Sequence, residues 1–369
     1  MIKLFNFQTC KRPGGDLYGI RPGYQCRQGI PVDPATIASE IRIARERGIT
    51  SEQIRKLNVT MKAKYKDPNS PEAQQDFLTS LQNMKIRTNN YKTLVEVGRN
   101  QFQEELLAVS SLMQDFKGGN KDLTLLLANT KSKVDKAKTP SELEDAQQQH
   151  EKYRKIFESY QKAQLIMDSV KSKLLKIGSS KEAKSKVAEV NVEKDLDKKR
   201  IVRTLQQLHQ ITNNEVNTLS KVYSSRDRAY AAKPNTPYPG EEKDLTGRIN
   251  VGNTMAKKLE AVLWHEFGHH IEYSVDEYRD AAYQWMKTRV TGVPVLLNRL
   301  VKSNQYEADE KAFPGNFGLG AYVGKYISSR NTEVISMGLE RFHSPAAMVE
   351  FYQKDPEHFM LILGILQSL

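Results

Sequence analysis

The run Thr254-Met-Ala-Lys-Lys-Leu-Glu-Ala-Val-Leu-Trp-His-Glu-Phe-Gly-His-His-Ile-Glu272 carries an H-E-x-x-H pattern at His265-Glu266-Phe267-Gly268-His269. On an α-helix, residues i and i+4 stand about 40° apart around the axis and about 6 Å apart along it. Two imidazoles so placed reach one zinc ion from the same face, and the glutamate between them reaches the water that attacks. Leu259, Val262, Leu263 and Phe267 recur at helical spacing, which predicts a helix here. The preceding Gly247-Arg-Ile-Asn-Val251 predicts a short strand.

A catalytic zinc takes three protein ligands and keeps one position open. His265 and His269 supply two. An extended H-E-x-x-H-x-x-G-x-x-H pattern needs glycine at 272 and histidine at 275, but Glu272 and Val275 stand there, so that class is excluded. Asp276 lies seven residues past His269, and a capping or supporting role suits it better than ligation. Glu333 is the preferred third ligand. In Asn331-Thr-Glu-Val-Ile-Ser-Met-Gly-Leu-Glu340 it opens a helix after a glycine-rich turn, with Asn331 or Thr332 as the cap. The ordinary role against which this is weighed is that of a first-turn glutamate complementing the helix dipole. Glu340 and the cluster Glu307, Asp309, Glu310 are lesser candidates for the ligand. Glu266, lying between two ligating histidines, is the general base. His270 is rotated about 100° from His269 and is read as a supporting or surface residue. Tyr322, Tyr326 and His343 flank the proposed ligand helix and are open choices for stabilising a transition state. Trp264 is read as core.

Working outward, residues 1–32 are expected to form a flexible basic leader, broken by Gly14-Gly15, Arg21-Pro22-Gly23 and Gly29-Ile30-Pro31. Asp33-Pro34, Ser70-Pro71-Glu72 and Thr139-Pro140-Ser141-Glu142 each place a capping residue before proline, and Thr139 with Glu142 makes a capping box. Apolar residues from Leu143 to Leu174 then follow a helical period. Gly118-Gly119-Asn120 and Gly178-Ser179-Ser180 read as corners. Residues 33–225 are therefore expected to form an α-helical bundle or elongated arm, without the strict heptads of a long zipper. The proline-rich Ala231-Ala-Lys-Pro-Asn-Thr-Pro-Tyr-Pro-Gly240 sets the expected domain border near 225–240, with the metal-binding domain at 226–369. Within that domain, helices are expected at about 276–303, 332–342 and 345–367, around a glycine- and aromatic-rich patch, Phe313–Tyr326. The fold class expected is mainly α, with an N-terminal helical bundle or arm before an α+β domain.

The chain has 369 residues, 56 Lys and Arg against 44 Asp and Glu, and a net charge of +12. Its basic residues are interleaved with acidic ones, as in Glu193-Lys-Asp-Leu-Asp-Lys-Lys-Arg200, which is the look of solvated helix faces. Specific nucleic-acid binding is not expected. Cys10 and Cys26 are close enough in sequence to pair, but two cysteines make no disulfide framework and no C-x-x-C is present, so two ordinary thiols are expected. The N-terminus lacks the pattern of a secretory signal. The apolar Phe359–Leu366 run is too short to span a bilayer. The chain is expected to be soluble.

His265-Glu-Phe-Gly-His-His-Ile-Glu272, joined to Tyr322-Val-Gly-Lys-Tyr326, Thr332-Glu-Val-Ile-Ser-Met-Gly-Leu-Glu340 and Asp355-Pro-Glu-His-Phe359, resembles the zincin-type C-terminal region of phage and prophage head-morphogenesis proteins. The resemblance covers about 225–369. It implies a gluzincin-like fold in which His265, His269 and Glu333 bind Zn2+ and Glu266 is the base, and it brings in a cytoplasmic or virion-associated setting with assembly partners. The function expected is a zinc metallopeptidase acting on a protein or peptide. The rivals are a phage-derived structural protein with a vestigial site and a delivered, toxin-like protease effector. An intact Glu266 favours the enzyme, because a purely structural zinc site has no need of a base.

Overall fold

A computed structural model describes residues 32–46, 49, 51–82, 84, 88–116, 118–226, 228–236, 245–253, 256–302, 306–327 and 330–369. The protein is mainly α, with fifteen α-helices among the described residues. None of them is long and apolar enough to cross a membrane. Cys10, Cys26 and the leader expected at 1–32 lie outside the described residues, save Val32.

The chain divides into two units, Met1–Arg87 and Thr88–Leu369. In the first, α1 (Pro34–Glu46), α2 (Ser51–Lys64) and α3 (Pro71–Gln82) are the helices, and α1 and α3 begin at the prolines that signal them. The Asp33 carboxylate accepts from Ala35 N–H at 3.1 Å and so caps α1. Ile37, Ile41, Ala44, Phe77, Leu78 and Leu81 are buried at helical spacing and supply the core of this unit.

The second unit starts with α4 (Tyr91–Gln101), α5 (Gln103–Leu112), α6 (Asn120–Lys136), α7 (Pro140–Leu174) and α8 (Ser180–Ala188). The Thr139–Glu142 capping box starts α7 as read from the sequence. Tyr160, Ala163, Met167, Val170 and Leu174 are its buried stripe. Leu165 belongs to no such stripe and is 71% exposed. The chain continues through β1 (Asn191–Val192), α9 (Lys198–Ile211), β2 (Lys221–Tyr223), β3 (Tyr230–Ala232) and β4 (Arg248–Asn250). These strands form one sheet in the order β1-β2-β4-β3, with β1, β2 and β4 parallel and β3 antiparallel at the edge. Val222 stands opposite Ile249, and both are fully buried.

Next come α10 (Leu259–Ser274), α11 (Asp276–Arg289), the hairpin of β5 (Val295–Leu296) and β6 (Lys311–Ala312) enclosing α12 (Leu297–Val301), and then α13 (Val334–Glu340), α14 (Pro345–Lys354) and α15 (Pro356–Ser368). Two expected helices are divided. The one at 276–303 ends at Arg289, because Val290 turns extended ahead of Gly292-Val-Pro294. The one at 345–367 breaks at Asp355-Pro356, where Asp355 caps α15 by accepting from His358 N–H at 3.1 Å.

The border expected near 225–240 is not where the chain divides. The helices α4 to α9 belong to the same unit as the H-E-x-x-H helix. A Cβ on Gly98 of α4 would lie 2.0 Å from Met360 O, and one on Gly364 of α15 would lie 1.8 Å from Leu94 O. Glycine at both positions lets these two helices cross backbone to backbone. The sequence around 231–240 signals a loop, and loop composition does not reveal which distant helices pack together. Residues 237–244 of that segment lie outside the described residues.

Candidate metal centre

Helix α10 buries Leu259, Leu263, Phe267 and Ile271 on one side and Trp264 beside them. That packing fixes the helix rotation, so His265 and His269 share the remaining face, with ring centroids 5.5 Å apart. Ligand atoms of His265, Glu266 and His269 all lie within 4.8 Å of one another. Gly268 is what allows the next element to approach. A Cβ there would lie 2.5 Å from Ser336 Cα, so α13 runs directly against this turn of α10.

Glu333 immediately precedes α13 and is buried. Its Oε2 lies 3.3 Å from Nε2 of His265 and 3.2 Å from Nε2 of His269. Ser336 Oγ donates to the same oxygen at 2.8 Å, and Lys325 Nζ lies 3.6 Å from Oε1. The Nδ1 of His265, on the other side of the ring, lies 3.1 Å from Oε2 of Glu340. The structure thus brings His265, Glu266, His269 and Glu333 together and places Glu340 behind one imidazole.

Asp276 falls away from the histidine pair, whereas Glu307 and Glu310 line the cavity beside it without joining the His265–Glu266–His269 group. Asp276 starts α11, pairs with Arg279 at 2.8 Å and has a 73% exposed side chain. Glu310 pairs with Arg228 at 2.8 Å and with Lys325 at 2.9 Å, while Asp309 is exposed. Glu307 lines the cavity described below and is exposed. His270 is fully buried, with Nδ1 2.9 Å from Thr218 Oγ1, so it is a core residue of the α10–sheet contact. Of the three residues open for a stabilising role, Tyr322 lines the cavity beside His265, whereas Tyr326 is half exposed against Phe313 and His343 Nδ1 bonds Glu340 O.

Two interactions had no clear signal in the sequence. Glu272, one turn past His269, is fully buried and accepts from Thr332 N–H at 2.8 Å and Thr332 Oγ1 at 2.5 Å. Its position seven residues after His265 places it on the histidine face, a spacing that could have pointed to it. Lys325 and Arg228 both approach Tyr322 Oη, at 3.1 and 3.5 Å.

The electrostatics of this cluster suit a cation. Burial alone would raise the Glu333 carboxyl, but the charge of His269 and hydrogen bonds from both imidazoles hold it well below the usual carboxylate range. Burial works against a charged His265, yet its bonds to Glu333 and Glu340 hold it well above the ordinary histidine value. His269 is raised in the same way, chiefly by the Glu333 charge acting against burial. A buried carboxylate that draws positive charge onto two neighbouring imidazoles offers the same attraction to a metal ion, which competes with those protons. Burial raises Glu266, with the two histidines pulling in the opposite direction.

This donor set fits zinc. Ligands about 2.0–2.1 Å from a tetrahedral ion stand about 3.3 Å from one another. The two Glu333–imidazole separations, 3.3 and 3.2 Å, have that length. The remaining side opens on a cavity of about 720 Å³ whose walls include Arg228, Tyr230, Tyr273, Tyr322 and Lys325.

Among known proteins, no family model, no curated protein and no solved structure matches this chain.

Proposed function

We propose that the chain is a zinc metallopeptidase in which His265, His269 and Glu333 hold the ion and Glu266 is the general base. The observation that carries this reading is the Glu333 carboxylate, set 3.2–3.3 Å from both Nε2 atoms beside an open cavity that Glu266 also lines. When bound, zinc would polarise a carbonyl and make a water more acidic. The rest falls to side chains. Glu266, its carboxyl raised by burial, takes a proton from the attacking water and delivers it to the amide nitrogen of the departing strand. Tyr322 Oη accepts from Lys325 and Arg228, which leaves its own proton to donate towards the carbonyl oxygen in the cavity. Burial and then the Glu333 charge raise that phenol above its usual range, so it stays protonated. The substrate in this reading is a protein or peptide, and phage-type assembly partners come only with the resemblance of residues 225–369.

The test is Glu266→Gln, assayed on a broad peptide library beside the wild type. Zinc content and fold should be kept while hydrolysis falls at least about 100-fold. Equal activity in the variant overturns the role of Glu266. Zinc retention without hydrolysis by either protein transfers the reading to a structural, assembly-type protein.

A further inference from the structure

We propose that Glu272 is a positioning residue which, through Thr332, fixes Glu333 opposite the His265–His269 pair. The inference rests on the metal reading above and concerns how the third ligand is held in place.

The two histidines need no outside help to stay together, because a single helix spaces them. Glu333 is different. It enters from a segment 64 residues beyond His269, ahead of a helix of only seven residues. Something must tie that segment to α10. The carboxylate of Glu272 accepts both donors of Thr332, the backbone N–H at 2.8 Å and the hydroxyl at 2.5 Å. The same hydroxyl oxygen accepts from Val334 N–H at 3.2 Å. Glu333 therefore sits between two residues whose backbone amides are both fixed, one directly and one through Thr332 Oγ1. Glu272, His269 and His265 share one face of α10, so the tie is anchored to the element that carries the other two ligands.

Packing alone does not call for this arrangement. Glu272, Thr332 and Glu333 are all buried, and the donors that Glu272 accepts from are the neutral ones of Thr332. An apolar side chain of similar volume would fill the space without the cost of desolvating a carboxylate. What the carboxylate adds is a fixed backbone position for residue 332. Ser336 and Lys325 then aim the Glu333 side chain, at 2.8 and 3.6 Å. Outer groups that orient a ligand in this way change metal affinity without touching the ion.

The experiment measures zinc affinity by chelator competition for the wild type, Glu272→Ala, Glu272→Gln and Thr332→Val. Glu272→Ala and Glu333→Ala are also combined. Amide hydrogen exchange is followed on the metal-free proteins. Glu272→Ala and Thr332→Val should each weaken zinc, the first about 10–100-fold, and Glu272→Gln, which keeps an acceptor for Thr332, should recover most of the loss. In the Glu333→Ala background, Glu272→Ala should cost almost nothing more, because the two act through one ligand. Exchange at Thr332 and Val334 should speed up in Glu272→Ala while the centre of α10 stays protected. A full additional loss in the double variant, or unchanged affinity and unchanged exchange at 332–334, overturns the proposal. A wild type that binds no zinc counts against the metal reading, and the exchange measurement then decides the tie by itself.

Discussion

Oε2 of Glu340 lies 3.1 Å from Nδ1 of His265, the ring nitrogen turned away from Glu333. A histidine with a carboxylate at each nitrogen has its ring plane fixed before any ion arrives, and the carboxylate at Nδ1 would keep the proton there when Nε2 gives up its own to a metal. Glu340→Ala should therefore lower zinc affinity about 10–100-fold with the fold retained, and Glu340→Gln should lower it less. Competition with a chromophoric chelator checks this. Unchanged affinity in Glu340→Ala would remove the orienting role.

Metal content is the more basic expectation. Elemental analysis of protein purified without chelator should give about one zinc per chain, and His265→Ala, His269→Ala and Glu333→Ala should each lose most of it. Circular dichroism should show the three variants still helical, because α10 is held by Leu263, Trp264, Phe267 and Ile271 on its other faces.

Gly364→Ala gives a diagnostic sign. In an exposed helix this change gains about 1 kcal/mol. Here the new methyl would lie 1.8 Å from Leu94 O, so α4 and α15 must part. Overpacking of this kind costs about 1–3 kcal/mol or more. Urea denaturation should show a net loss, and a gain would mean the two helices do not cross at this point.

Part of the pH dependence follows from core histidines lowered by burial, His209 and His358 among them beside His270. Burial lowers His209 to about 4, and it also lowers His358 to about 4. Unfolded histidine titrates near 6.5. The unfolded chain therefore binds more protons between pH 6.5 and 4, so the stability these groups contribute is complete above about 6.5 and is lost as pH falls towards 4. Each can contribute up to roughly 3 kcal/mol. Among the described residues, His209 has no hydrogen-bond partner at either ring nitrogen, and it packs edge-on against Phe267. His209→Leu should flatten part of the decline between pH 7 and 5 in denaturant midpoints. An unaltered slope would mean His209 is not buried neutral.

Residues that act through local spacing could be read without a structure. The His265–His269 interval, the Thr139–Glu142 box and the proline starts at 34, 71 and 140 are each written within a few residues, and the structure places helices accordingly. Glu333 could be picked out because a glycine-rich turn ahead of a helix is also local. Relations across the fold were not legible. Nothing in the sequence ties Glu272 to Thr332, Glu340 to the back of His265, or Gly98 to Gly364, because each depends on which elements meet. The misplaced border near 225–240 has the same cause. Proline content reveals where the chain turns, whereas the affiliation of α4 with α15 lies in two glycines 266 residues apart.

That crossing has a consequence for synthesis. At 5–20 residues per second, α15 leaves the ribosome roughly 13–53 s after α4. Through that interval Leu94 and the glycine notch at 98 lack the α15 backbone that they meet in the folded chain. The cell must keep an early surface clean until a late one arrives. For this protein the vulnerable period therefore belongs to translation, and it is longest when the ribosome is slow.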